Sequence, residues 1–306
     1  MNVILSSDDN YARHLGVAIY SLLSNNTDVE RIHISVIDNQ IENASVQKLR
    51  DIVQSFSNAD IYFVPFAEYM SALHLNMVHP ISLSSYARLF IAEMLPENVD
   101  RVLYMDCDMC VMGSLSALWN WDLKGHCLGA IQDTIPTKTK ADVGLSADQR
   151  YFNAGLLLID LRKWRSMEVG KKCLDFIDSH NGLVKHHDQG VLNGVLKDQW
   201  ERLSLRYNVM TIHYILSLPK IQSFYKDEAP YYDYVEVEDA IKSPIILHYT
   251  PSLTSRPWEK NCQHPLRCIY KEYLDQTPWK GYPLVDDNSP WYVRLINLRY
   301  RFLPIL

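Results

Sequence analysis

The first 160 residues alternate short apolar runs with stretches of helical spacing. Residues 3–6 predict a strand. Over residues 11–23, Leu15, Ala18, Ile19, Leu22 and Leu23 fall three to four apart, the spacing of one helix face. Residues 31–38 alternate Ile32, Ile34 and Val36 with polar neighbours and predict a second strand. A helix over 44–56 and a third strand over 60–64 follow, then a helical stretch over 84–95. Strands over 101–104, 129–132 and 155–160 complete the set. Strand–helix–strand alternation of this kind predicts an α/β fold around a mainly parallel mixed sheet. Ligands on such sheets bind beyond the carboxyl ends of the strands, so polar groups just after a strand are where chemistry is expected.

Beyond residue 161 the pattern loosens. Residues 163–180 predict one helix, and 188–196 a shorter one with Val191, Leu192, Val195 and Leu196 on one face. Residues 215–240, rich in Tyr, Pro and acids, predict loops. The apolar run 243–249 contains His248 near its end. No internal repeat and no Gly/Ser linker divides the chain. The expected organisation is one domain over 1–270 and a helical C-terminal extension over 271–306.

Composition narrows the classes. The 306 residues are 47% hydrophobic and 22% charged, which excludes wholesale disorder. Thirty Lys and Arg against 36 Asp and Glu leave a formal net charge of −6, which argues against a nucleic-acid partner. The start, Met1-Asn2-Val3-Ile4-Leu5, lacks the basic segment and long apolar run of a secretion signal. No apolar stretch approaches the ~20 residues that cross a bilayer. A cytoplasmic location is therefore expected. The six cysteines fit it: Cys107 and Cys110 form a C-x-x-C pair with no second pair, so reduced buried thiols are favoured over zinc.

Three polar clusters follow apolar runs. Asp8-Asp9-Asn10-Tyr11 follows the first strand, Asp106-Cys107-Asp108 follows Val102-Leu103-Tyr104-Met105, and His248 follows Ile245-Ile246-Leu247. Carboxylates at i and i+2 share a face if the chain stays extended, because strand side chains alternate. Two carboxylates and an imidazole make a mixed O/N donor set that suits Mn²⁺, with Mg²⁺ the second choice. The plainer reading of each acid is a turn former or helix cap.

The Asp106 strand resembles the Asp-x-Asp strand of nucleotide-sugar glycosyltransferases with the GT-A fold. More specifically, the chain resembles glycosyltransferase family 8, the bacterial galactosyl- and glucosyltransferases of lipopolysaccharide and lipooligosaccharide synthesis. The resemblance rests on segments in order over about residues 1–260. They are Ser7-Asp8-Asp9-Asn10-Tyr11, Ser85-Tyr86-Ala87-Arg88-Leu89, the Asp106 strand, Tyr151-Phe152-Asn153-Ala154-Gly155 and His187-Asp188-Gln189-Gly190-Val191-Leu192-Asn193. His248-Tyr249 with Arg256-Pro257-Trp258 matches in part.

This resemblance implies a UDP-sugar donor bound by Asp8, Asn10 and Tyr11, with Tyr11 stacked on uracil. It implies that Arg88 reaches the diphosphate or donor sugar, and that Asp106, Asp108 and His248 hold the metal. Asn153, Asp188 and Gln189 would surround the sugar, Asp188 accepting its hydroxyls and Gln189 lying under the anomeric carbon. The family retains anomeric configuration. A carboxamide is a poor nucleophile, so Gln189 suits front-face attack, with Asp188 as transient nucleophile the rival. Where many relatives carry a phosphate-gripping Lys, this chain has Arg256, which can serve the same anion bidentately. Pro251 lacks an N–H to offer phosphate, which leaves Thr250 or Ser252.

His79-Pro80-Ile81-Ser82 and Gln132-Asp133-Thr134 fall where relatives contact the acceptor, and 134–150 has the composition of a lid. In the tail, Trp291, Leu295, Leu298 and Phe302 form one helical stripe beside Arg294, Arg299 and Arg301. Such a stripe either enters the lipid interface of the inner membrane from the cytoplasmic face or docks on its own domain. The implied enzyme is a retaining, Mn²⁺-dependent UDP-galactose or UDP-glucose transferase, with a glycan or glycolipid acceptor of lipopolysaccharide, lipooligosaccharide or another surface glycan. A protein-glycosylating family member and a non-catalytic UDP-sugar-binding scaffold are the alternatives. A dinucleotide oxidoreductase is disfavoured, since no G-x-G-x-x-G follows the first strand.

Overall fold

The computed structural model describes residues 1–76, 83–251 and 254–286, together with 291, 293 and 295. Seven strands form the main sheet: β1 (Asn2–Ser7), β2 (Ile32–Asp38), β3 (Ala59–Pro65), β4 (Arg101–Met105), β6 (Leu128–Gln132), β7 (Phe152–Asp160) and β8 (Trp200–Arg202). Their spatial order is β3-β2-β1-β4-β7-β6-β8. The pairs β1–β2, β2–β3, β1–β4 and β6–β8 are parallel, while β7 runs antiparallel to both its neighbours. The expected α/β class and mainly parallel mixed sheet are what the chain adopts. A small second sheet joins β5 (Met109–Val111), β10 (Ile246–His248) and β9 (Val209–Met210).

The central strands β1, β4, β7 and β6 are buried on both faces, which explains their continuous apolar runs. Val3, Leu5, Leu103 and Met105 pack on one side with Leu15, Leu22 and Ile52. Ile4, Val102, Tyr104 and Leu157 pack on the other with Trp164, Leu192 and Trp200. Chain order reverses at β1, with β2 on one flank and β4 on the other. The ends of β1 and β4 therefore open into one crevice, and Asp8 and Asp106 stand immediately beyond them.

Four local expectations are corrected. Residues 84–95 form a 3-10 helix, Leu83–Phe90, and only then one α-helical turn, Ile91–Met94. Arg88 Nε bonds the Ser85 carbonyl at 3.0 Å, drawing on an acceptor that an α-helix would use for its own ladder. The stretch 163–180 is two helices, Leu161–Ser166 and Val169–Ser179, parted at Glu168, whose φ is +53°. The break brings Gly170 so close to the 83–94 segment that a Cβ there would lie 2.5 Å from Glu93 Oε1. Residues 215–240 are not all loop but include helices Leu218–Tyr225 and Tyr234–Lys242. The second opens with a capping box: Asp233 Oδ1 accepts from Glu236 N at 2.8 Å, and Glu236 Oε2 accepts from Asp233 N at 2.9 Å. Finally, residues 106–108 turn instead of staying extended.

The helix Arg267–Leu274 crosses residue 271 unbroken and lies on helix Ala12–Ser24. Tyr273 Oη accepts from Asn25 Nδ2 at 2.8 Å, and Tyr270 Oη is 2.6 Å from His14 Nδ1. Buried Trp279 fills the space above Gly16, where a Cβ would meet its ring at 2.6 Å. In the tail, Trp291 and Leu295 are exposed and Val293 is buried, while Arg294, Leu298, Arg299, Arg301 and Phe302 lie outside the described residues. Among the described residues, no helix is long and apolar enough to cross a membrane.

Candidate active site

Asp106, Asp108 and His248 offer three ligand atoms within 4.8 Å of one another. The β10–β5 pairing builds this group: His248 stands opposite Met109, and Tyr249 N bonds the Asp108 carbonyl at 2.9 Å. The turn after β4, not strand alternation, brings the two carboxylates together. Asp106 Oδ1 accepts from Tyr104 Oη and Arg88 Nη2, both at 2.8 Å, which directs Oδ2 toward Gly155. Asp108 Oδ1 lies 3.1 Å from His248 Nε2, and Asp108 Oδ2 accepts from Arg256 Nη1 at 3.0 Å.

Burial by itself would raise both carboxyls, but His248 and Arg256 hold Asp108 well below the ordinary carboxylate range. For Asp106, burial and the neighbouring Asp108 outweigh Arg88, and its value rises. Gly155 shapes the cradle: a Cβ there would lie 2.5 Å from His248 Cε1 and 3.0 Å from Asp106 Oδ2. Two carboxylates and an imidazole nitrogen around a gap kept open by glycine fit a divalent metal ion.

The sugar-side groups adjoin this cluster. Arg88 is buried, and its Nε pairs with Asp188 Oδ2 at 2.9 Å while Nη2 reaches Asp106. Burial would lower its value, but Asp106 and Asp188 raise it further into the charged range. Sequence proximity shows no acid partner for Arg88; the fold supplies two. The register between β6 and β7 jumps at Ala130/Ile131, and this irregularity leaves the Ala154 backbone free of the ladder. Its N–H bonds Gln189 Oε1 at 3.0 Å, and its carbonyl accepts from Arg88 Nη1. Gln189 Nε2 and Asn153 Nδ2 both donate to Asp133 Oδ2, at 3.2 and 3.1 Å.

Helix His187–Leu196 presents Asp188 and Gln189 from its first turn. His186 and His187 precede Asp188 in the left-handed region, φ +58° and +55°, a costly conformation for non-glycine residues. The turn lays the Lys185 carbonyl over Gly190, where a Cβ would be 1.8 Å away, so only glycine fits. Asn193 then ties the helix to β7, its amide bonding both N–H and C=O of Phe152, at 2.8 and 2.9 Å.

At the rim, Asp8 caps the 3-10 helix Asp9–Tyr11, accepting from Tyr11 N at 3.2 Å, and Asn10 is exposed. Arg256 Nη1 bonds Tyr11 Oη at 2.9 Å and so joins the rim to Asp108. Tyr11 stands edge-on to His14 and Trp258. Asp106, Asp108, His248, Arg88, Asp188, Gln189, Asn153, Arg256 and Tyr11 thus form one connected group, with Asp8 and Asn10 at its edge. Segment 134–150 holds a helix, Thr137–Asp142, whose buried Lys140 pairs with Asp227. The His79-Pro80-Ile81-Ser82 segment and Ser252 lie outside the described residues.

Sequence reasoning missed Asn208. It is fully buried between His248 and Asn153, bonding His248 Nδ1 at 2.9 Å through Oδ1 and Asn153 Oδ1 at 2.9 Å through Nδ2. The only signal was an amide beside the apolar pair Val209-Met210, and His248 lies 40 residues away.

The family model described as "Glycosyl transferase family 8" matches residues 2–262. General stress protein A of Bacillus subtilis is 30% identical, over 94% of this chain and 98% of the relative. A lipopolysaccharide 1,2-glucosyltransferase of Escherichia coli is 29% identical, over 100% of this chain and 85% of the relative. Among solved structures, galactosyltransferase LgtC in complex with donor and acceptor sugar analogs superimposes with TM-score 0.73 and 26% identity, over 97% of this chain and 100% of that one.

Proposed function

The chain belongs to glycosyl transferase family 8, and from that premise we propose a retaining, Mn²⁺-dependent hexosyltransferase. Its donor is UDP-glucose or UDP-galactose. Its acceptor is a hydroxyl of lipopolysaccharide, lipooligosaccharide or another surface glycan. The observation that carries this reading is the continuity of the site. The Asp106–Asp108–His248 group, two arginines suited to a diphosphate, and the Asp188–Gln189 pair share one hydrogen-bonded frame. The relatives' names, a glucosyltransferase and a galactosyltransferase, support the hexose and leave both sugars open.

Asp106, Asp108 and His248 would hold the metal, which when bound supplies Lewis-acid stabilisation of charge on the departing UDP. Tyr11 offers a ring face to the base, and Arg256, already beside Asp108, turns its guanidinium to the diphosphate. Arg88 fixes Asp188 toward the sugar hydroxyls. Because Asp188 is tied to that guanidinium, its oxygen is a weaker nucleophile, which favours front-face attack over a glycosyl-enzyme. Gln189, anchored by the Ala154 N–H, lies under the anomeric carbon and stabilises positive charge there. The acceptor hydroxyl adds on the face that UDP leaves, and a phosphate oxygen takes its proton. The enzyme works in the cytoplasm, and its basic tail either meets anionic lipid at the inner membrane or docks on its own domain.

The test is UDP release from a panel of UDP-sugars, with Mn²⁺ or EDTA, for wild type and Asp108→Asn. Release from one UDP-hexose, abolished by EDTA and by the substitution, is the expected result. Absence of Mn²⁺-dependent UDP binding by calorimetry would overturn the reading. For the tail, sedimentation with anionic liposomes compares the full chain with one ending at residue 289; equal binding removes the membrane contact.

A further inference from the structure

One backbone N–H sets the polarity of the amides behind the metal group. Gly155 N donates to Asn153 Oδ1 at 3.0 Å, and a backbone N–H can only donate. Asn153 must then direct Nδ2 outward, and there it meets the Asp133 carboxylate, which can only accept when ionised. With Asn153 Oδ1 turned inward, Asn208 must offer it Nδ2 and so presents Oδ1 to His248. His248 Nδ1 must carry a proton to bond that oxygen. In the neutral ring the lone pair is then on Nε2, which faces Asp108 Oδ1 across 3.1 Å. At that distance the two lone pairs repel unless Nε2 carries a proton and donates to Oδ1, or a metal ion binds beside them.

We propose that Asn208 is a positioning residue that performs two tasks with one amide. Its Oδ1 holds His248 in the tautomer and orientation that present Nε2 to the metal. Its Nδ2 holds Asn153, and through Asn153 the Asp133 carboxylate that also receives Gln189. Metal ligand and sugar-side amide are therefore set by a single buried side chain on neither the Asp-x-Asp strand nor the Gln189 helix. The inference rests on the metal-dependent reading above.

Two variants separate the tasks, with Mn²⁺ affinity measured in the presence of UDP by calorimetry, where no turnover occurs. Asn208→Leu keeps the volume and loses both bonds; its Mn²⁺ affinity should fall about 10–100-fold, the range for lost outer-shell partners of metal-bound histidines. Asn208→Asp still accepts from His248 Nδ1–H, so its affinity should fall by less than the about tenfold that marks a lost outer-shell partner. Its carboxylate cannot donate to Asn153 Oδ1, so kcat should fall at saturating Mn²⁺ while the metal remains bound. Wild-type Mn²⁺ affinity in Asn208→Leu overturns the proposal. So does Asn208→Asp binding as weakly as Asn208→Leu, since a merely structural amide would fail equally in both. If Asn208→Leu does not fold by circular dichroism, Asn208→Asp decides alone: Mn²⁺ binding weakened about tenfold or more overturns the proposal. Wild-type protein that binds no Mn²⁺ would instead defeat the functional reading itself.

Discussion

Gly155 shows how much a single hydrogen atom decides at the residue scale. Nothing larger fits between His248 Cε1, Asn153 Oδ1 and Asp106 Oδ2, so Gly155→Ala should spread the ligands. Mn²⁺ binding should weaken more than tenfold, on the order of a lost outer-shell partner, while far-UV circular dichroism is retained; unchanged affinity would contradict the cradle. Arg256 makes a prediction of opposite sign for two ligands. Its guanidinium competes with a metal for Asp108, so Arg256→Ala should bind Mn²⁺ alone more tightly. The same variant should bind UDP about tenfold or more weakly, as expected for losing a charged hydrogen bond of about 1.5–3 kcal/mol. Calorimetry of each ligand separately reads both changes. Asp106, Asp108 and His248 were legible because each ends or follows an apolar run. Asn208 and the acid partners of Arg88 were not, since their contacts join residues far apart in the chain.

Elements were legible where their period was clean, as in β1, β2 and helices Ala12–Ser24 and Asn43–Gln54. Helix Tyr234–Lys242 was overlooked although Asp233-x-x-Glu236 is an N-terminal signature, because the surrounding Tyr and Pro suggested loop. The same region supplies the partner of Lys140. That lysine is fully buried in helix Thr137–Asp142, and Asp227 is its countercharge. A buried charge stripped of its partner is costly, so Asp227→Ala should lower stability by about 3–5 kcal/mol in urea titration. Replacing both groups with apolar ones, Lys140→Met with Asp227→Leu, should restore most of that loss. An equally unstable double variant would show that packing, not charge, is responsible.

For the whole molecule, buried histidines set the response to acid. Burial lowers His213 to about 4, where Nδ1 accepts from Met210 N at 3.1 Å, and lowers His264 to about 3. Both stay neutral in the fold, whereas the unfolded chain protonates them near 6.5. Their contribution is therefore full above pH 6.5 and is lost as pH falls, down to about 4 for His213 and about 3 for His264. At about 1.4 kcal/mol per unit, His213 accounts for about 3 kcal/mol. The denaturation midpoint should drop between pH 7 and 4.5, and less steeply in His213→Gln; identical slopes would exclude His213. The thiols give a second whole-molecule check. Cys107, Cys110, Cys127, Cys173 and Cys262 are buried, so native protein should expose only Cys268 to a thiol reagent, and unfolded protein all six.

The sequence by itself determined the alternation of strands and helices, and with it the class of fold. It also marked the acids and histidine at strand ends, because apolar periodicity and polar punctuation are local properties of the chain. Tertiary structure decided which of those groups meet. The reversal of strand order at β1 and the antiparallel pairing of β10 with β5 bring His248 to Asp108 across 140 residues. Gln189 and Arg88 reach the Ala154 backbone only because the β6–β7 register breaks beside it. Such contacts depend on pairing partners and on where the backbone is left unbonded, and neither is written in the spacing of residues along one segment.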